Sequence, residues 1–155
     1  MTSTPHPMTA EDVVALLGLE PLPEEGGLFT QTYADDHSTC IYALLAPPDF
    51  SAMHRLTTPE IYHFYAGDPT RMLLLHPDGR VAEPVLGTDL AAGQRPQVVV
   101  PAGVWQGSSC LGAWSLWGTT MAPGFDWEGF ELGAADELVA GWPAAAGRIR
   151  ELTRS

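Results

Sequence analysis

Turn residues punctuate this chain at short, regular intervals, and that rhythm limits the folds open to it more than any other feature. From Leu28 onward, β-favouring runs recur about every 8–12 residues, the spacing of a many-stranded sandwich or small barrel. Leu28–Tyr33, Thr39–Ala46, Arg71–His76, Gln97–Val100, Trp105–Cys110 and Ala113–Met121 read as strands. Ala34–Ser38, Pro47-Pro48-Asp49, Pro77-Asp78-Gly79 and Pro101-Ala102-Gly103 supply the turns between them. Helical patterning is confined to the ends. Thr9 with Glu11 and Asp12 reads as a capped helix start before an apolar run to Leu19, and Ala144–Leu152 reads as a short helix after Trp142-Pro143. The expected class is mainly β with short terminal helices.

With 155 residues, 45% of them apolar, the chain is long enough to bury a core without disulfides. Residues 1–7 are expected to form a loose tail and residues 8–155 a single domain. The net charge of −12 opposes binding to phosphate backbones and anionic lipid, so neither nucleic acid nor membrane is an expected partner. Cys40 and Cys110 lack metal or redox spacing and fit a reduced interior. The N-terminal residues carry no secretory pattern, which leaves the cytoplasm as the expected location.

Chemistry-bearing residues concentrate in 50–67, which holds His54, Glu60, Tyr62 and His63. Strand parity puts His54 with Leu56, and Glu60 with Tyr62 and Phe64. A hairpin bent at Thr57-Thr58-Pro59 would bring His54 and Glu60 together. The pair suits two chemistries. As imidazole and carboxylate donors it suits a weakly held divalent transition metal, with Gln106 as a further, poor ligand. As an acid–base pair it suits proton abstraction beside a carbonyl, with His54 as base oriented by Glu60 and Tyr62 or His63 as acid. A polar pair of purely structural role is the third reading. Phe64, Trp105, Trp114 and Trp117 are candidates for an aromatic pocket, with Trp105 and Gln106 positioning a ligand. Arg55, Arg71 and Arg95 are candidate clamps for an anionic substrate group.

The same residues resemble a known family. His54-Arg55-Leu56, Glu60 and Gly67 resemble the first cupin motif, with leucine where a second histidine usually stands. Gly93, Pro101-Ala102-Gly103 and Gln106 resemble the second motif, with glutamine at its histidine. Stretches 25–33, 50–69, 86–97 and 122–132 resemble the uncharacterised cupins often labelled predicted sugar epimerases. The resemblance implies a double-stranded β-helix, or jelly roll, paired as a homodimer with a small-molecule pocket inside the barrel. It implies isomerase or epimerase chemistry on a sugar derivative or secondary metabolite. The alternatives are a non-catalytic ligand-binding module and a metal-dependent oxygenase or lyase.

Overall fold

A computed structural model describes residues 7–154. The expected N-terminal tail lies outside these residues except for Pro7. In chain order the elements are α1 (Ala10–Leu17), β1 (Glu20–Pro21), β2 (Leu28–Ala34), β3 (Thr39–Leu45), β4 (Ser51–Leu56), β5 (Glu60–Gly67) and β6 (Thr70–Leu75). There follow β7 (Val81–Ala82), β8 (Val85–Leu86), β9 (Gln97–Val100), β10 (Trp105–Cys110), β11 (Ser115–Met121), β12 (Phe130–Leu132), α2 (Ala135–Gly141) and α3 (Ala146–Glu151).

The strands form two antiparallel sheets, as the turn spacing requires. The first runs β1-β2-β3-β11-β5-β9 and the second β12-β4-β10-β6-β7, with β8 also on β6. Consecutive strands that fall in different sheets give the chain its jelly-roll path. Ala43, Leu45, Tyr62, Val100 and Trp117 of the first sheet face Met72 and Leu74 of the second in one core. A second core lies on the other side of β6, where Leu73 and Leu75 meet Leu138, Ile149 and Leu152 from the C-terminal helices. That is why β6 reads as an unbroken apolar run: both of its faces are buried. Likewise α1 lays Val13 against Leu44 on the outer side of β3. Its start is a reciprocal capping box, with the Thr9 hydroxyl accepting from the Asp12 N–H and the Asp12 carboxylate accepting from the Thr9 N–H.

One expected detail is corrected. Thr57-Thr58-Pro59 does not close a hairpin, because β4 and β5 lie in different sheets. The exposed turn carries the chain from one sheet to the other at the barrel's surface, so His54 and Glu60 approach from opposite walls rather than along one ladder. At the other end of β5, Gly67 holds φ +84°, and an added Cβ would lie 2.5 Å from the Trp114 carbonyl oxygen. Left-handed strain and a backbone collision then combine. Gly67→Ala is expected to cost about 2 kcal/mol or more, read as a lower urea midpoint at unchanged slope.

Candidate functional site

Strand alternation decides which side chains reach the interior. On β4, Ala52, His54 and Leu56 share one parity, and His54 pairs with Gln106 across the β4–β10 ladder. On β5, Glu60 and Tyr62 point inward, and both are buried. The structure therefore brings His54, Glu60, Tyr62 and Gln106 together, as expected. Tyr62 donates its hydroxyl to Gln106 Oε1, and Gln106 Nε2 donates to Glu60 Oε1 at 3.1 Å. That chain fixes the amide: its oxygen faces the phenol and its NH2 faces the carboxylate. Tyr62→Phe leaves the Gln106 oxygen buried without its donor. An expected loss of about 1–3 kcal/mol is measurable by chemical unfolding.

Other expected members fall elsewhere. Trp105 precedes Gln106 on β10 and so points out of the barrel, into the core under the C-terminal helices, with the Arg55 guanidinium 4.6 Å from its ring centroid. His63 has the parity opposite to Glu60. It lies on the outer face of the first sheet, with Nε2 3.0 Å from Thr120 Oγ1 and Nδ1 3.3 Å from Gln97 Nε2. A bulge does interrupt the β5–β11 ladder, but it lies beyond His63, between the Phe64 and Ala66 pairings, and cannot turn His63 inward. Phe64 packs against the inner core, and Trp114 bonds the Met8 carbonyl oxygen. Of the expected aromatic residues, Trp117 alone lines the cavity described below.

Sequence reasoning missed Glu25. It sits in the loop between β1 and β2, where its carbonyl oxygen accepts from the Ala52 N–H at 2.8 Å. The following glycines, Gly26 and Gly27, both hold positive φ, and a Cβ on Gly26 would collide with the Phe50 carbonyl oxygen. This tight docking puts Glu25 Oε1 2.9 Å from His54 Nε2. The N–H direction is off the oxygen, which makes the contact a close ion pair rather than an aligned hydrogen bond. Nδ1 donates to the Ala52 carbonyl oxygen at 2.6 Å. Both ring nitrogens of this fully buried imidazole are thus engaged, and Phe130 stacks on its face at 5.3 Å.

The electrostatics follow. Burial alone would push the His54 pKa down, but the Glu25 charge, assisted by Glu60, outweighs it and raises the value to about 9. Burial pushes the Glu60 carboxyl up and the Glu25 charge adds to this; His54, Thr119 and Gln106 oppose without reversing it. Burial also holds the Tyr62 phenol well above its ordinary range.

Beside this network opens a cavity of about 370 Å³, the size of a small-ligand pocket. Glu20, Glu25 and Glu60 supply its carboxylates, and Phe29, Trp117, Phe125, Trp127 and Phe130 supply aromatic wall. Phe125, Trp127 and Phe130 pack edge to face, with centroids 4.9 Å and 5.1 Å apart for successive pairs. His54 is not part of the wall. The carboxylates face the cavity and the imidazole stands behind them.

A firmly held metal does not fit these residues. Leu56, at the position of a motif histidine, contributes apolar wall, and the Gln106 oxygen is taken by Tyr62. Among the described residues no three His, Cys, Asp or Glu side chains are grouped to hold a metal ion. The expected arginine clamps are absent too. Arg55 and Arg71 pair with Glu131 and Glu83, and Arg95 bonds backbone carbonyl oxygens.

Comparison with known proteins bears on this architecture. The sequence profile of the family described as Cupin superfamily (DUF985) matches residues 11–133. The chain belongs to the cupin superfamily. It is 31% identical over 115 residues to the uncharacterized protein YML079W of Saccharomyces cerevisiae, a match covering 70% of this chain and 57% of that one. The chain thus spans little more than half the length of this curated relative. Protein SO0799 of Shewanella oneidensis superposes with a TM-score of 0.88 at 34% identity, covering 95% of this cupin and 98% of that chain. A hypothetical protein from Leishmania major gives a TM-score of 0.84 at 26% identity, with 96% and 100% covered. Oxalate decarboxylase from Bacillus subtilis, which has Mn(II) centres, shares the fold at a TM-score of 0.60 and 13% identity, over 86% of this cupin and 37% of that chain. Among the described residues, no helix of this cupin is long and apolar enough to cross a membrane.

Proposed function

We propose that this cupin binds a small organic molecule, a sugar derivative or secondary metabolite, and moves a proton on it as an isomerase or epimerase. The observation that carries the reading is the pair of cavity-facing carboxylates, Glu25 and Glu60, backed by one buried imidazolium. His54 then acts as their fixed counter-charge, a positioning residue rather than the base, because both its nitrogens are engaged. Glu25 takes the proton as a substrate C–H bond breaks, and the electron pair passes into an adjacent carbonyl. Glu60, whose carboxyl stays protonated to higher pH than usual, returns a proton to the resulting enolate. The substrate gains and loses no net proton. Gln106 and Tyr62 hold Glu60 in place, and Trp117 supplies apolar wall. Resemblance to the family supports a homodimer as the working unit.

The test begins with native mass spectrometry of the purified protein, which identifies a compound that copurifies in the cavity. That compound is then incubated with the protein in heavy water. Proton transfer requires deuterium to enter a carbon position of the bound compound. Saturable binding without deuterium uptake would instead establish a non-catalytic binding module in the same barrel.

A further inference from the structure

The chain's seven lysine and arginine positions are all arginine, and none of them lines the cavity, behind which His54 is buried. Six are in ion pairs with carboxylates elsewhere, and Arg95 is held on backbone carbonyl oxygens. The wall instead carries three carboxylates and five aromatic rings, with no lysine, arginine or histidine among its described residues. A phosphate or carboxylate entering here would meet like charge and no cationic side chain to offset it. An ammonium group would meet both of its usual partners, carboxylate oxygen and the electron-rich faces of Trp and Phe. The net charge of −12 adds a long-range field of the same sign.

A second observation concerns the rest of the ligand. Besides its carboxylates and rings, the cavity is lined by Thr30, Gln31, Thr39 and Thr119. Neutral hydroxyl and amide groups of this kind hydrogen-bond a ligand oxygen without bringing charge to it. We propose that the cavity selects a small organic cation carrying a hydroxyl or carbonyl oxygen, the chemistry of an amino sugar or amino alcohol. The ammonium rests against the carboxylates and ring faces, while the oxygen meets the neutral polar side chains of the wall, Thr30, Gln31 and Thr119 among them. This deepens the proton-transfer reading only in calling the cation a substrate; selection of the cation stands on the cavity itself.

The experiment compares three probes of matched size, D-glucosamine, D-glucose and D-glucuronate, by isothermal titration on the unmodified protein near neutral pH. Glucosamine is expected to bind at least roughly tenfold tighter than glucose, and glucuronate more weakly than either. Glu20→Gln, at an exposed position, and Trp127→Leu, on a half-exposed ring, are each expected to reduce that preference several-fold without unfolding the protein. Equal or tighter binding of glucose or glucuronate overturns the proposal, as does failure of glucosamine to bind at millimolar concentration. Deuterium uptake by a neutral or anionic compound would sink this inference and leave proton transfer standing. Selective glucosamine binding with no deuterium uptake into the copurified compound would do the reverse.

Discussion

Replacing His54 with alanine is expected to destabilise the protein by about 3–5 kcal/mol, a fall in Tm on the order of 10 °C. The substitution removes the cation that Glu25 and Glu60 share inside the barrel. It also removes the ring on which Phe130 stacks, leaving a void at a position with no solvent exposure. The dependence on pH has a definite sign. The folded pKa of His54 is raised to about 9 from an ordinary 6.5. Its stabilising contribution is therefore complete below pH 6.5 and lost as pH climbs through about 9, a decline of about 3 kcal/mol. Glu60 acts in the same direction. Its raised carboxyl favours the folded state while protonated, and that advantage disappears as pH rises past the ordinary carboxylate range. Urea unfolding of the unmodified protein from mildly acidic to alkaline pH is expected to show a falling midpoint, and the His54→Ala protein is expected to lack the part of the decline above pH 6.5.

The second large effect concerns chemistry rather than stability. On the substrate identified by copurification, Glu60→Gln is expected to lower kcat by about 10²–10⁴-fold. The amide retains an oxygen that can accept from Gln106 Nε2, so the packing of the network is preserved. It has no proton to give at a useful pKa, and it no longer carries a buried charge. Tm should consequently stay level or rise while turnover collapses. A variant that loses fold and activity together would point to a structural role for Glu60. One that keeps full turnover would remove Glu60 from the reaction. The split between kcat and Tm separates these outcomes, since a role confined to packing moves both.

The strand pattern of the sequence matched the structure closely, because its turn residues mark real reversals. Gln97–Val100 and Trp105–Cys110 have the same boundaries in sequence and structure. Turn residues do not reveal whether a reversal joins neighbours in one sheet or crosses to the other, so Thr57-Thr58-Pro59 has the sequence of a hairpin turn and the structure of a crossover. The helix Ala135–Gly141 escaped notice because its N-cap, Ala134, makes no side-chain capping bond. Within the site, parity alone locates His54, Glu60, Tyr62 and Gln106. Parity also removes Trp105, which cannot face the same way as the adjacent Gln106. Glu25 sits in a loop without periodicity, and its only local mark was the Gly26-Gly27 pair that lets the backbone dock on β4. The charge reversal at the site was illegible for the same reason. A carboxylate brought in by a loop turns the expected base into a buried cation.

The most direct measurement is an NMR titration of the His54 ring, assigned by its loss in His54→Ala. The expected midpoint is about 9, so the ring is an imidazolium throughout the neutral range. In Glu25→Gln the midpoint should fall sharply, because burial then acts against a weaker counter-charge. A ring that titrates at or below 6.5 in the unmodified protein, or one indifferent to Glu25→Gln, would contradict a cavity whose carboxylates are held by a buried imidazolium.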